Sequence, residues 1–393
     1  METSRTQVVI IGAGPAGLLL GQLLLNQGID HVILELRSAD YVRGRVRAGV
    51  LEMPTLEALR EARVSERLDR ESMRMPGFNL MWGEDSVHID FALVNKYATV
   101  YGQTKITRDL MDARQAAGGV THYEISNTQP HDFDTAHPWV SYEKDGRQFR
   151  IDCDFIAGCD GHHGATHKAA PASQITTYDY AFPFGWLAML ADVPPISEQV
   201  AWMNHPDGFL MCSLRSKTRS RYYFQVPRGE ELKNWDADRF WKEYRRRLPP
   251  SLVDNLVTGP ALEMSITPLS SSVSTPMRFG RMFLAGDAAH VVPPTGAKGL
   301  NMAMADAKLL FEGLKQYYGD KQNSTLLDTY SDDALARVWK AVRFSWWMTN
   351  LTHKLSDNPF NRKMQLAELE YISQSVAAQT TIAENFCGLR SRG

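Results

Sequence analysis

The chain has 393 residues, 44% hydrophobic and 22% charged, with Lys+Arg at 43 against Asp+Glu at 45 and a formal net charge of −2. That length exceeds one typical domain, so two closely packed domains are expected, and ordinary glycine and proline counts exclude disordered and fibrous classes. The near-neutral balance gives no footprint for nucleic acid or an anionic membrane, which leaves small molecules as the expected partners.

Residues Gln7 to Ile11 form a β-branched apolar run, followed at once by Gly12-Ala13-Gly14-Pro15-Ala16-Gly17 and by a helical apolar pattern from Leu18 to Gln27. The stretch from Val8 to Leu25 is apolar enough to resemble a leader or a membrane span. Its glycines, its proline and the lack of a cleavage site argue for neither. A second run, His31 to Leu34, ends in Glu35. Strand, glycine loop, helix, strand and acid is the order in which a dinucleotide fold is built. Glycines let the backbone approach a pyrophosphate, the helix start carries positive charge, and the acid meets ribose hydroxyls. The bland alternative is a glycine-rich turn packing a helix on a strand. Arg43, Arg45 and Arg47 follow, either beside that phosphate or as a solvated charge cluster.

Farther along, Phe155 to Gly158 reads as a strand ending in the turn Cys159-Asp160-Gly161. Leu210 to Arg215, the polar turn Ser216 to Arg219, and Arg221 to Val226 read as a β-hairpin, and a period of two puts Ser213 and Arg215 on one face. A hydroxyl beside a guanidinium suits a carboxylate, although a surface strand with a solvated arginine has the same pattern. Then Arg281 to His290 and Pro293 to Asn301 repeat strand, Gly-Asp, loop and helix. Asp287 is placed to accept from polyol hydroxyls, and the helix after Gly296 offers free N–H groups to an anionic ring.

Taken in order, the glycine loop, Cys159-Asp160-Gly161 and the run from Gly286 to Asn301 resemble the class A flavoprotein aromatic monooxygenases, most closely the hydroxybenzoate hydroxylase branch. The likeness extends through Tyr101-Gly102-Gln103, Asn204-His205-Pro206, the hairpin, Phe344 to Trp347 and Ile382 to Asn385. It implies an α/β plus β architecture: a Rossmann-like, glutathione-reductase-like FAD-binding domain from 1–73, 98–181 and 271–345, an inserted mainly β substrate domain from 74–97 and 182–270, and a helical C-terminus over 346–393. It also implies bound FAD, held by Gly12, Gly14, Gly17, Glu35, Arg45, Arg47, Gln103, Asp160, Asp287, Gly299, Leu300 and Asn301. Ser213, Arg215 and Tyr223 would hold a benzoate carboxylate, with Trp202, Pro294, Thr295 and Ala297 around the ring. The implied reaction is NAD(P)H- and O2-dependent hydroxylation of that ring through a flavin C4a-hydroperoxide. Pro294, Trp202, Phe386 and Asn301 would be the catalytic positions.

The chain departs from the family at the places that carry a phenolic proton to solvent. Two tyrosines and a histidine are replaced by Trp202, Phe386 and Met75, none of which relays a proton. The expected substrate is therefore altered, to 4-aminobenzoate, whose amine needs no deprotonation, or to a dihydroxybenzoate such as 3,4-dihydroxybenzoate, with loss of the hydroxyl at Phe386 making room. The alternatives are 4-hydroxybenzoate with another proton route, a flavin dehydrogenase or oxidase, or an aromatic-ligand sensor. Leu36, His167 and Ser270 stand where the family has arginines, whereas Tyr41 and His163 match and Arg37 offers a replacement charge. The reductant is read as NADPH or NADH.

Four cysteines without a C-x-x-C pair fit a cytoplasmic protein. His162, His163 and His167 lack an acidic or thiolate partner at ligand spacing, so no metal is expected. Arg245-Arg246-Arg247 reads as the solvated face of an amphipathic helix. Met302, Met304 and Trp346-Trp347-Met348 read as core or interface filler. The apolar, aromatic tail suits a homodimer.

Overall fold

The computed structural model describes residues 1–45 and 49–388. Its first buried element is the strand Val8–Ile11, apolar at every position because both sheet faces are covered. It pairs in parallel with His31–Leu34 on one side and Phe155–Gly158 on the other. Met282–Leu284 extends the same parallel sheet beyond Phe155–Gly158. Parallel neighbours need crossovers, and the helix Pro15–Asn26 supplies the first one. The helix Gly299–Gly319 packs against it. Cys159 and Ala285 therefore follow the ends of adjacent parallel strands, beside the glycine loop. Sequence segments up to 270 residues apart thus converge at one sheet edge, where α/β folds place their ligands.

The second large unit is an eight-stranded mixed sheet. Its backbone is the pair of long strands Thr176–Ala191 and Ala261–Thr275, which run without a break through positions 181–182 and 270–271. The hairpin Leu210–Ser216 and Arg219–Pro227 lies next to Thr176–Ala191, followed by Ala201–Asn204 and the pair Gly77–Trp82 and Asp85–Asp90. One sheet face packs on the helix Ala237–Arg247, and alternate residues Leu210, Cys212, Tyr222 and Phe224 point into that core. The other face packs on the C-terminal helices Thr325–Thr352, Pro359–Gln374 and Val376–Cys387, through Trp202, Met211, Met348, Ile372 and Phe386. The hairpin is thereby fixed from both sides.

One expectation is corrected. Arg245 and Arg246 are exposed, but Arg247 is buried. It pairs with Glu243 and donates to the carbonyls of Asp207, at 3.1 Å, and Gln225, at 3.0 Å. The helix turns by roughly 100° per residue, so three consecutive arginines cannot share one face.

Candidate active site

The glycine loop has the shape its sequence implies. A Cβ on Gly12, whose φ is +106°, would lie 2.3 Å from the Cys159 carbonyl oxygen, and one on Gly17 would lie 2.0 Å from the Gly12 oxygen. Gly14 differs: nothing lies within 4 Å of its Cβ position, so its open side is free for a ligand. As the N-cap of Pro15–Asn26 it offers no side-chain acceptor, which leaves the first-turn N–H groups for an anion. Glu35 Oε2 accepts from Ala13 N at 2.6 Å and Oε1 from Arg37 N at 2.8 Å. These bonds fix the carboxylate at the strand tip with lone pairs to spare for hydroxyls.

Asp287 is exposed between buried Gly286 and Ala288. Its loop is tied from behind by Asp306, which accepts from Gly286 N at 2.8 Å and His290 Nε2 at 2.6 Å and pairs with Arg337. Burial pushes the Asp306 pKa up, but His290 and Arg337 more than offset that and hold it below the usual carboxylate range. Asp160 is placed differently: its carboxylate accepts from Thr166 N, at 2.9 Å, and Thr166 Oγ1, closing the turn at Gly161 to Gly164, while burial raises its pKa. Gln103 opens the helix Gln103–Ala116. Arg45 is exposed and its carbonyl accepts from Thr104 Oγ1 at 2.9 Å, whereas Arg47 lies outside the described residues.

At the start of Gly299–Gly319, Asn301 spends its whole amide. Oδ1 accepts from Glu52 N at 2.9 Å and Thr55 Oγ1 at 2.8 Å, while Nδ2 donates to the Val50 and Ala297 carbonyls at 3.0 and 2.9 Å. The side chain is thus structural, and what residues 299–301 offer a ligand is their first-turn N–H groups. Thr295 is fully buried and its hydroxyl accepts from Thr349 at 2.9 Å, so it faces the helix Thr325–Thr352. Pro294 is exposed and its carbonyl already accepts from Ala297 N at 2.9 Å. An FAD would find glycine space, a pinned ribose acid, an exposed Asp287 and two uncapped helix starts here, a set that fits its charge and hydroxyls.

In the hairpin, Ser213 pairs with Arg221 and Met211 with Tyr223. The register shifts between Leu214 and Ser216, leaving Arg215 as the additional residue of a β-bulge. Bulges re-aim side chains. Here Arg215 donates to the Tyr223 hydroxyl at 3.1 Å and has no carboxylate partner among the described residues. A half-buried guanidinium beside a serine and a tyrosine has the donor chemistry that suits a small carboxylate.

Comparison with known proteins decides the family. The model for the FAD binding domain matches residues 5–345. The chain is 50% identical to the p-hydroxybenzoate hydroxylase of Acinetobacter baylyi over 99% of its own length and 96% of that protein's. It belongs to the FAD-dependent aromatic monooxygenases. A 25% identical relative, 6-hydroxy-3-succinoylpyridine 3-monooxygenase of Pseudomonas putida, aligns over 89% of this chain and 90% of that one. The fold is shared with p-nitrophenol 4-monooxygenase of Pseudomonas putida, at a TM-score of 0.83 and 19% identity over 99% of this chain and all of that one. The chain is accordingly a flavoprotein enzyme with FAD as cofactor and NAD(P)H and O2 as co-substrates.

In this monooxygenase, the three positions without proton-passing groups come together in one apolar cluster. Phe386 is 1% exposed and stacks on Phe91 at 5.2 Å, with Phe78 at 5.0 Å and Trp202 at 5.7 Å. Trp202 meets Phe78 edge-on at 4.4 Å, and Met75 is buried in the same cluster. Phe78 and Phe91 thus pack directly against the Phe386 ring. Sequence reasoning missed both, because each is an ordinary strand or turn phenylalanine until the fold brings residues 78 and 386 together. It missed Lys298 too, whose ammonium is held by Glu52 Oε1 at 2.6 Å and the Phe386 carbonyl at 3.0 Å. On the opposite flank, Leu36 and Tyr41 are exposed, Arg37 lies over the Tyr41 ring, and His167 Nε2 meets Ser274 Oγ at 2.9 Å. Among the described residues, no helix is long and apolar enough to cross a membrane.

Proposed function

We propose that the enzyme hydroxylates the ring of a benzoate whose activating substituent keeps its proton throughout the reaction. The observation that carries this is the apolar cluster of Met75, Phe78, Phe91, Trp202 and Phe386. Phenyl and thioether groups exchange no protons and indole N–H only donates, so no side chain there leads a phenolic proton to solvent. Arg215, Ser213 and Tyr223 bind the carboxylate and fix the ring's long axis. Pro294 and Ala297 border the ring. Gly12, Gly14, Gly17, Glu35, Arg45, Gln103, Asp160 and Asp287 hold the FAD phosphates and sugars, and the N–H groups of Gly299, Leu300 and Asn301 receive the ring's anionic edge. When bound, the flavin supplies hydride acceptance and oxygen activation. The chain supplies orientation, a dry pocket and electrostatics.

The test is a substrate panel in which oxygenated product is quantified against NAD(P)H consumed. Coupled turnover of 4-aminobenzoate or 3,4-dihydroxybenzoate is expected. Fast, fully coupled turnover of 4-hydroxybenzoate with both others inert would overturn the reading in favour of 4-hydroxybenzoate with another proton route, which the 50% identical relative favours. The same assay with NADPH against NADH reads reductant choice, which the loss of arginine at Leu36, His167 and Ser270 leaves open to either.

The enzyme is further proposed to be a cytoplasmic homodimer. Its cysteines are free, as a reducing compartment keeps them. Phe360, Met364 and Tyr371 lie exposed along one side of Pro359–Gln374, a stripe suited to a second copy. Sedimentation at micromolar concentration should give the dimer mass, and a monomer would remove that part of the reading.

A further inference from the structure

His353 ends the helix Thr325–Thr352 and is fully buried, its ring stacked on Phe209 at 4.3 Å and on Phe184 at 4.9 Å. Its hydrogen bonds fix where its proton lies. The indole N–H of Trp186 can only donate and lies 2.6 Å from His353 Nε2, so that nitrogen accepts and carries no proton. The ring proton therefore sits on Nδ1 and goes to the Thr349 carbonyl, 3.0 Å away. Stacking alone would accept any flat ring, but these two bonds need a neutral imidazole. They lead to two different parts of the site. Trp186 packs on Tyr223 with ring centroids 5.2 Å apart, and the Tyr223 hydroxyl receives Arg215 Nη2 at 3.1 Å. Thr349 Oγ1 meets Thr295 Oγ1 at 2.9 Å, next to Pro294. The backbone is held to the same strand: Gln225, opposite Trp186 in the ladder and two residues beyond Tyr223, accepts from Lys354 N at 2.9 Å and donates to the Lys354 carbonyl at 2.8 Å. Gln365 donates to the His353 carbonyl at 2.6 Å.

We infer that His353 is a positioning residue for the carboxylate end of the substrate: through Trp186 it sets the Tyr223 ring that orients Arg215, and through Thr349 it keeps that group in one frame with the Pro294 loop. The inference rests on the benzoate reading above and deepens it. His353 is enclosed by protein on all sides, so it acts through Trp186 and not on a ligand. Without its acceptor, the Trp186 N–H is a buried donor with no match, which costs free energy that a tilt of the indole towards another acceptor recovers. Tyr223 packs on that indole and follows the tilt. A guanidinium that grips a carboxylate with two parallel bonds depends on direction as well as distance, so a small rotation of Tyr223 is felt at Arg215.

The experiment is benzoate titration of the holoenzyme, with H353Q and H353N beside the unaltered chain. Both variants lose the stacked ring, so they share any cost of packing. Gln carries its amide out to the Nε2 position and keeps an acceptor for the indole, whereas Asn reaches only the Nδ1 position and leaves the indole unmatched. One neutral hydrogen bond corresponds to about a fivefold change in affinity. H353N should therefore bind benzoate about fivefold more weakly with its FAD affinity unchanged, and H353Q should stay within about twofold of the unaltered chain. Equal losses in the two variants, or no loss in H353N, would overturn the assignment. Added to R215M, H353N should change benzoate affinity by less than about twofold, because the group through which it acts is gone. A further fivefold loss there would mark a general structural effect and also overturn it. If neither histidine variant retains FAD, W186F, which removes the donor and keeps a ring, takes their place: a loss of about fivefold alone and under about twofold in R215M is expected, and any other pair of results sinks the assignment. The benzoate reading itself fails differently, when the unaltered holoenzyme binds no benzoate or none yields oxygenated product.

Discussion

Arg215 donates from Nη2 to the Tyr223 hydroxyl at 3.1 Å, across the hairpin and from the bulged position of its strand. The tyrosine oxygen thus orients a guanidinium that has no acid of its own, while the rest of the fork remains available. R215M should weaken benzoate binding by about tenfold to a hundredfold, the range of a lost charge-assisted bond. Y223F should cost about fivefold, since it removes an orienting partner and leaves the charge. Titration of the holoenzyme with benzoate measures both, and a larger loss in Y223F than in R215M would contradict the arrangement.

Two glycines of the same loop should respond in opposite ways. G12A places a Cβ against the Cys159 carbonyl at a φ of +106° and should cost about 2–3 kcal/mol of stability. At Gly14 an added Cβ has no atom beyond its chain neighbours within 4 Å, so G14V should fold normally yet bind FAD about tenfold more weakly or worse. Thermal unfolding of the apoprotein with FAD titration separates the two effects. Normal FAD affinity in G14V would remove the loop from the cofactor site.

The hairpin and the glycine loop were legible because each depends on local rules: period-two alternation and the backbone freedom of glycine. Three features were not. The bulge at Arg215 is a property of the register between two strands and leaves no mark in either alone. Three of the four bonds of Asn301 go to residues 50–55, about 250 positions away. Arg247 looked solvated because its two neighbours are, whereas the helix turn carries it against the Asp207 and Gln225 carbonyls.

Asp306 should matter for the cofactor although it is fully buried behind the loop. D306A leaves His290 and Arg337 without their shared anion and frees Gly286 N, which should cost about 3–5 kcal/mol. Calorimetry should show the loss, with faster FAD release on dilution. Wild-type FAD retention in a destabilised D306A would confine the residue to folding.

Acid should destabilise the enzyme through two histidines. Burial holds His353 at about 3, and burial with the nearby Arg114 charge holds His31 at about 4, against 6.5 for an ordinary histidine. Both bind protons more readily in the unfolded chain. Their contribution is complete above about pH 6.5 and is lost as pH falls towards the folded values, at up to about 1.4 kcal/mol per pH unit for each. His353 accepts from Trp186 Nε1 at 2.6 Å, so its protonation also breaks that bond. Denaturant midpoints between pH 7.5 and 4.5 should fall, and more gently in H353Q. Parallel slopes would contradict the assignment.

Restoring one hydroxyl should not restore a proton route. F386Y would set an oxygen among Phe78, Phe91 and Trp202, costing about 1–3 kcal/mol if unpaired, while Met75 still blocks the way onward. Turnover of 4-hydroxybenzoate should not rise. A marked gain would show that a single hydroxyl suffices.

Two bonds of Asn301 tie the helix start to the backbone of residues 50–52, a third reaches the Thr55 hydroxyl and the fourth Ala297, so the surface proposed to receive the flavin ring is one piece made from opposite thirds of the chain. During synthesis the glycine loop emerges early, but it faces an unfinished wall until the ribosome has passed Asn301. Cofactor loading is consequently a late event of biogenesis, and truncations ending before that residue will not retain the yellow colour however well their first strands fold.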